Sequence, residues 1–356
     1  MPPSTRIPAL LQPYVQLPPN DSILLLTSTL GASANWLLIR FLCHELSTQD
    51  GGDDEGHNVV LVSWMREYDF WRQEARKGAA LDLDKMRREG RFAFVDGLGA
   101  GGDAMDGAVE GSLGVDAHAI SRVPVLNAIR GPQILPARGP PGRIVPARGP
   151  PPAAPAASPT SPPATSTANG PASATQSTPG HYILKSLEIA AIKSSISSAI
   201  SPLATSTARK TLLIFDNPDL LLALNPAITP SHFTTLMLQL HTLPNVTHIL
   251  THLQADNPLL SLSTPPQPLE VAHHNLVVKC AHMSRRILGV RVLDTGVARD
   301  VSGVIRITEQ RKQWFDVGFG VEGDKEGDGG RGKEFLYQVK SDGSVRVFER
   351  GAGGEG

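Results

Sequence analysis

Cysteine and long apolar runs are scarce in this sequence, and each scarcity excludes a class of protein. Only 2 of the 356 residues are cysteine. Cys43 and Cys280 both fall in apolar helical patterns, so we expect buried thiols in a reducing compartment and exclude a disulfide scaffold. The amino terminus has no apolar stretch of signal-peptide length, and the run from Ile23 to Leu26 is too short to span a bilayer. These features predict a soluble intracellular protein without a membrane partner.

The sequence also lacks an excess of charge of either sign. Its formal net charge is −1, which does not indicate a strongly basic nucleic-acid-binding protein. Hydrophobic residues make up 40% of the chain, while glycine and proline number 34 and 30. This combination predicts a folded core interrupted by unstructured segments.

One segment concentrates the residues that oppose folding. Between positions 121 and 180 lie 15 of the 30 prolines, five arginines and no acidic residue. Such a segment cannot bury enough apolar surface to offset the entropy lost on ordering. Together with the glycine-rich stretch before it, this predicts a disordered insert at 99–180 that splits one domain. The expected organisation is an N-terminal arm at 1–21, domain parts at 22–98 and 181–350, and a flexible tail at 351–356.

Apolar runs alternate with helical patterns on both sides of this insert. Strands are predicted at 22–28, 59–63, 92–95, 211–215 and 246–251, and helices at about 35–45, 67–79, 181–200, 231–243 and 269–287. Further strands are predicted at 290–293, 301–308, 335–339 and 345–348, the last two joined by a hairpin turn. Alternation followed by a run of strands predicts an α/β fold with a mostly parallel central sheet and a C-terminal antiparallel extension.

The turn after the first strand occupies the position of a phosphate-binding P-loop but lacks its chemistry. A P-loop needs glycines whose amides wrap the phosphates, a lysine, and a hydroxyl for Mg²⁺. When the helix registers are matched, Ser28 and Ser33 replace the glycines, Ala34 replaces the lysine and Asn35 the hydroxyl, with Gly31 inside the turn. No lysine or arginine occurs from 22 to 39. The pattern indicates a degenerate phosphate loop, or equally an ordinary strand–helix turn.

Other motifs carry little chemistry. Asp216 ends an apolar strand like a Walker B acid, which suggests descent from a nucleoside triphosphatase (NTPase) rather than activity. The Gly97–Gly102 stretch matches a dinucleotide motif, but glycines and acids follow it instead of a helix. The histidines, among them His248 and His252, lack the spacing of metal ligands and are expected to be exposed or satisfied by hydrogen bonds. We therefore predict no catalytic residue, no metal site and no cofactor.

Basic residues cluster in the C-terminal half. Arg291, Arg299 and Arg306 are candidates for contacting RNA or a neighbouring subunit, and a solvated surface is the alternative reading. Arg299 is the preferred candidate because it lies in a short turn rich in glycine and valine between two predicted strands. A local pair with Asp300 or Asp294 is the alternative.

Four stretches resemble the sixth-subunit family of the fungal Elongator complex. They are residues 26–38, residues 60–63 together with 70–76, residues 91–98, and residues 293–308. The last is the most specific, with the core Gly296-Val-Ala-Arg-Asp-Val-Ser-Gly. The resemblance spans roughly 22–98 and 181–308 and leaves out the insert and the glycine-rich tail.

This resemblance implies a RecA-like three-layer fold without Walker motifs. It further implies a hetero-hexameric ring with the fourth and fifth Elongator subunits that binds tRNA, in cytoplasm and nucleus. The ring serves the catalytic Elongator core, which starts the carboxymethyl-type modification of wobble uridines. The chain would then be an accessory subunit and not an enzyme. Two alternatives stay open: an active RecA-like ATPase with an unorthodox phosphate loop, and a RecA-like accessory protein of DNA recombination.

Overall fold

The protein is described here by a computed structural model that covers residues 7–47, 56–101, 179–206, 209–296, 298, 300–310 and 332–349. The strands are β1 (Ser22–Ser28), β2 (Asn58–Ser63), β3 (Phe92–Asp96), β4 (His181–Ile183), β5 (Thr211–Asp216), β6 (Val246–Gln254), β7 (Arg286–Arg291), β8 (Gly303–Glu309), β9 (Lys333–Val339) and β10 (Val345–Glu349). The helices are α1 (Gln12–Val15), α2 (Asn35–Ser47), α3 (Tyr68–Ala79), α4 (Leu83–Arg88), α5 (Ile189–Ser206), α6 (Leu220–Leu224), α7 (Pro230–His241), α8 (Asn257–Leu260) and α9 (Pro268–Met283). Most of the predicted insert and the whole predicted tail lie outside the described residues.

The ten described strands belong to one sheet with the order β10-β9-β8-β7-β1-β6-β5-β2-β3-β4. Neighbouring strands are parallel from β7 through to β4. Strands β7 to β10 pair antiparallel in chain order. The predicted α/β fold, with a mostly parallel sheet and an antiparallel C-terminal extension, is confirmed.

Both faces of the sheet are covered, which explains the unbroken apolar runs of its strands. Side chains alternate along a strand, so Leu24 and Leu26 of β1 pack on the face that carries α2, α3 and α4. Ile23 and Leu25 pack on the opposite face, against α5, α7 and α9. The result is a helix–sheet–helix sandwich whose strands end at two polar edges.

A buried arginine connects the sheet extension to the first helical layer. Arg40 of α2 is 1% exposed. Its guanidinium donates to the backbone oxygen of Gly78 at 2.6 Å and of Gly343 at 2.9 Å. Gly343 has a φ of +78°, which favours glycine, and it forms the turn of the β9–β10 hairpin. Arg40 therefore positions the predicted hairpin against α2 and α3.

The structure corrects two predicted helix boundaries. The helix predicted at 181–200 begins at Ile189, because His181–Ile183 instead pairs parallel with β3 as strand β4. The helix predicted to reach Ile287 ends at Met283, and Ile287 lies opposite Leu25 in the sheet. In both places a neighbouring strand supplies hydrogen-bond partners that outweigh the local helical period.

Both cysteines of the chain are buried, as their apolar sequence context predicts. Cys43 and Cys280 are both buried, and neither forms a disulfide. Burial raises the pKa of the Cys280 thiol to about 12, which keeps it protonated and unreactive. Within the described ranges, no helix combines the length and the apolar character needed to cross a membrane.

A buried glutamate holds the amino edge of the sheet to α2. Glu45 is 2% exposed, and its carboxylate lies 2.9 Å from His44 Nδ1 and 2.7 Å from His57 Nδ1. The backbone amide of His57 also donates to it at 3.2 Å. Burial alone would raise the pKa of Glu45, but the hydrogen bonds and charges of the two histidines outweigh burial and lower it to about 2.

We predict that Glu45→Gln lowers the free energy of unfolding by about 1–3 kcal/mol at about pH 7. The ionised carboxylate stabilises the fold above its unfolded pKa of 4.5, and this contribution is lost as the pH falls toward the folded pKa of about 2. The difference in the free energy of unfolding between variant and wild type should shrink by more than half at about pH 3. Urea unfolding at both pH values measures it. Glu89→Gln, at an exposed glutamate, is the control, and an equal effect of the two variants would contradict the assignment.

Candidate functional site

The carboxyl ends of four adjacent strands, β1, β6, β5 and β2, meet at one edge of the sheet. A pocket of about 620 Å³ opens there. In open α/β sheets, ligands bind in the crevice outside the carboxyl ends of the strands. This edge, which also carries the predicted phosphate loop and Asp216, is therefore the candidate site.

The predicted phosphate loop is a tight turn whose amides bind its own chain. Thr29 and Ala32 form an isolated antiparallel bridge, and the Ala32 amide donates to the Thr29 oxygen at 2.9 Å. Gly31 between them has a φ of +85°. The Leu30 amide donates to the carboxylate of Asp256 at 2.6 Å. An anionic oxygen of the protein thus occupies an amide that a P-loop would offer to a phosphate.

Backbone amides at the start of α2 also donate hydrogen bonds within the protein. Ala34 is completely buried, and the Asn35 amide donates to the Ser33 hydroxyl at 3.3 Å. The backbone amides of Leu37 and Leu38 both donate to the Ala34 oxygen, at 2.9 Å and 3.1 Å. Ala34, in the position expected for the P-loop lysine, supplies an apolar contact to the core instead of a cation.

A cation does approach the loop, but from a different strand. Arg66 follows β2 and lines the pocket. Its guanidinium lies 3.5 Å from Asp216 Oδ2 and 3.5 Å from Asn217 Oδ1, and it stacks over the Phe70 ring at 5.2 Å. With the amide oxygen of Asn35 turned toward it, Arg66 Nε donates at 3.2 Å. Arg66 is therefore engaged by groups of the protein.

A row of hydrogen bonds crosses the four strand ends. Ser63 donates to Asp216 Oδ2 at 2.8 Å, and Asp216 Oδ1 lies 2.9 Å from His252 Nδ1. His252 Nε2 lies 2.8 Å from the Ser28 hydroxyl. Because Asp216 is the acceptor, His252 Nδ1 carries the proton of that hydrogen bond. The Ser28 hydroxyl lies within hydrogen-bond distance of two acceptors, His252 Nε2 and, at 3.2 Å, Gln254 Oε1. Both carboxylate oxygens of Asp216 accept hydrogen bonds from the protein, and the residue is 0% exposed.

The rest of the pocket combines an apolar wall with polar atoms that lack partners. Leu30, Met65 and Leu269 are 86%, 48% and 45% exposed. Asn217 Nδ2 and Asp219 Oδ1 are buried without a hydrogen-bond partner. Burial raises the pKa of Asp219, an effect that the nearby His273 partly offsets. No group of three or more metal-ligating side chains occurs in the part of the chain that the structure describes.

The predicted arginine candidates lie elsewhere. Arg299 falls outside the described residues. Arg291, at the end of β7, pairs with Asp294 at 2.5 Å and Glu334 at 3.5 Å. Arg306 is exposed on the adjacent strand β8. The structure thus brings Arg291 and Arg306 to neighbouring strands but not to the pocket.

Ser63, Arg66 and His252 are site residues that sequence reasoning misses. They belong to positions far apart in the chain, and only the strand order places them beside Ser28 and Asp216. One signal does point to them: each apolar strand run ends on a polar residue, and the carboxyl ends of parallel strands share an edge.

Comparisons with known proteins assign no family. No protein-family model matches the chain, and no curated protein matches it in sequence. Among solved structures, it is similar to an uncharacterized protein, PH0321 from Pyrococcus horikoshii, crystallised in complex with an unknown peptide. The two are 9% identical with a TM-score of 0.49, over 97% of this chain and 98% of that chain.

We predict that Asp216→Ala lowers the free energy of unfolding by about 3–5 kcal/mol, because it leaves His252 and Ser63 buried without their shared acceptor. Asp294→Ala, which removes the exposed partner of Arg291, should cost less than about 1 kcal/mol. Urea unfolding of both variants measures the two values. An Asp216→Ala variant as stable as Asp294→Ala would mean that the buried row does not form.

Proposed function

We propose that this chain is a RecA-like accessory subunit of Elongator, corresponding to the sixth subunit. It assembles with the fourth and fifth subunits into a hetero-hexameric ring that binds tRNA. The ring serves the catalytic core that begins carboxymethyl-type modification of wobble uridines, in cytoplasm and nucleus. This chain itself neither binds nor hydrolyses a nucleotide.

The hydrogen bond between the Leu30 amide and Asp256 is the main support for the proposal that this chain does not hydrolyse a nucleotide. A P-loop works because its amides are unoccupied and a lysine neutralises the phosphates. Here a carboxylate holds a loop amide at 2.6 Å, and a phosphate entering the turn would meet the negative charge of Asp256. At 4 Å separation two like charges repel by about 4 kcal/mol at the effective dielectric near a protein surface.

The state of Asp216 supports the same conclusion. An active Walker B acid must present an oxygen to the hydration shell of Mg²⁺. The oxygens of Asp216 bind Ser63 and His252 in a fully buried row. Opening that row to admit a metal ion would leave buried polar groups unpaired, at about 1–3 kcal/mol each.

The resemblance to Elongator rests on sequence, and the exposure of residues 294–296 at the start of its most specific stretch supports a role in assembly. Residues 293–308 run from the end of β7 into β8. Asp294, Thr295 and Gly296 are exposed, and Gly296 has a φ of +94°, where glycine is favoured. The fold does not bury these residues, so a specific sequence here fits a surface that contacts another molecule.

We predict no ATP turnover above background by the purified chain. With a loop amide occupied and Asp216 buried, phosphates and Mg²⁺ find no site. Phosphate release with MgATP at several protein concentrations measures turnover. The Asp216→Asn variant distinguishes turnover by this chain from that of a contaminating ATPase. Hydrolysis that scales with wild-type protein and disappears in Asp216→Asn would favour the alternative of an active RecA-like ATPase.

We predict that co-expression with the fourth and fifth Elongator subunits yields a ring that binds tRNA, and that Arg299→Ala weakens assembly or binding. A single chain of net charge −1 neutralises few phosphates, whereas a ring repeats the same arginines around one surface. Native mass and tRNA affinity across salt concentrations measure both properties. If Arg299 binds an RNA phosphate, the variant should show a weaker dependence of affinity on salt. The slope of log affinity against log salt concentration (the salt slope) should fall in magnitude by about 1 for each phosphate that is no longer neutralised.

Arg76→Ala, on the exposed side of α3, is the matched control and should leave mass and affinity unchanged. Unchanged assembly, affinity and salt slope in Arg299→Ala would exclude Arg299 from the interface. Failure of the wild-type chain to join the other two subunits would contradict the proposed function itself. Preferential binding of DNA would favour the recombination alternative.

A further inference from the structure

Three members of the buried row have the geometry of an activated serine. The Ser28 hydroxyl lies 2.8 Å from His252 Nε2, and His252 Nδ1 lies 2.9 Å from Asp216 Oδ1. A nucleophilic serine needs a base within hydrogen-bond reach and a third group that fixes the tautomer of that base. Asp216 fixes the tautomer that leaves Nε2 free to accept the serine proton, for which Gln254 Oε1, 3.2 Å from the hydroxyl, is the competing acceptor. Arrangements of this kind are recognised by geometry and not by their order along the chain.

The serine also faces a space in which a substrate could lie. Ser28 and His252 both line the pocket of about 620 Å³ at the carboxyl edge, a volume typical of small-molecule sites. The same pocket is lined by Asn217, whose side-chain nitrogen is buried and lacks a partner. A buried donor without a partner is costly, and it is satisfied when a ligand presents an oxygen. The site therefore contains a base-activated hydroxyl together with an unused donor.

The pocket walls define the class of ligand. Leu220, Leu259 and Leu269 supply an apolar surface. Asp219 and Asp256 are acidic neighbours, and Arg66, the one lysine or arginine among the described lining residues, is already bound to Asp216 and Asn217. An anionic substrate finds no unoccupied cation among these lining residues. An uncharged molecule with an apolar chain can pack against the leucines and hydrogen-bond to the polar lining residues.

We infer that Ser28 is a nucleophile that cleaves uncharged carboxylic esters with a short apolar acyl chain. Its oxygen forms a bond to the ester carbonyl carbon while its proton passes to His252 Nε2. The side-chain nitrogen of Asn217 donates to the resulting oxyanion. The carbon–oxygen bond to the alcohol then breaks, and the alcohol leaves with the proton from His252. Water attacks the acyl-serine by the same route, which releases the carboxylic acid and restores Ser28.

This activity is separate from the proposed role in Elongator. Ring assembly and tRNA binding require no chemistry from the carboxyl-edge pocket, and ester cleavage requires no partner subunit. Each proposal can therefore fail while the other holds. Ester cleavage in a chain that does not join the ring would count against the Elongator role alone.

The test is labelling and turnover with the full-length chain. A fluorophosphonate probe, which reacts with activated serines, is followed by peptide mapping, and p-nitrophenyl butyrate reports hydrolysis. We expect the label on Ser28, and a loss of hydrolysis in Ser28→Ala of at least about a hundredfold, the lower range for removal of a base-assisted step. Ser198→Ala is the control, because Ser198 is an exposed serine of α5 that does not line the pocket, and it should keep both signals.

Two further variants separate catalysis from folding. His252→Gln should lose the label although Ser28 is present. Asn217→Gly, which tolerates the φ of +53° at that position, should slow hydrolysis and leave the melting temperature close to wild type. Mapping the label on the wild-type chain needs no variant, so it decides the question even if His252→Gln fails to fold. A folded wild-type chain whose Ser28 is labelled no more than Ser198, or hydrolysis that persists in Ser28→Ala, would overturn the inference.

Discussion

The buried carboxylate of Asp216 is the interaction on which the carboxyl edge of this sheet depends. An ionised group removed from water costs several kcal/mol unless hydrogen bonds and opposite charge replace its hydration. Here Ser63, Arg66 and His252 provide that replacement from two other strand ends. Because Asp216 accepts from each of them, Ser63, Asp216 and His252 are held opposite one another on β2, β5 and β6, and His252 lies within reach of Ser28. One charge thus positions four strand ends.

The same constraint makes this edge differ from the P-loop site of an active NTPase. A P-loop NTPase leaves its acid and its loop amides open for a ligand. In this chain Asp256 accepts from the Leu30 amide, and His252 is hydrogen-bonded to Asp216. The turn also lacks a lysine, and an amide cradle without a cation has little affinity for phosphate. The pocket at this edge leaves space for a ligand other than a nucleotide.

Much of the fold can be predicted from the sequence, because its central strands are buried on both faces. The pattern predicts strand β1 with its observed bounds, since an unbroken apolar run between polar residues has few other readings. It misses strand β4 because three residues carry no clear period, and only the open edge of β3 makes His181–Ile183 extended. The candidate site can be predicted from the sequence only in part. Ser28 and Asp216 stand at recognisable strand ends, but the partners that decide their chemistry come from strands whose order no local pattern encodes.

The most direct measurement of the closed carboxyl edge is hydrogen exchange at the Leu30 amide, with and without MgATP. The expected result is slow exchange in the wild-type chain, because Asp256 holds that amide, and no change on adding nucleotide. Asp256→Ala should exchange faster at Leu30 alone. If MgATP instead protects the turn from Thr29 to Asn35 in the wild-type chain, the loop is a working nucleotide site, and the account of a closed, non-hydrolysing subunit is wrong.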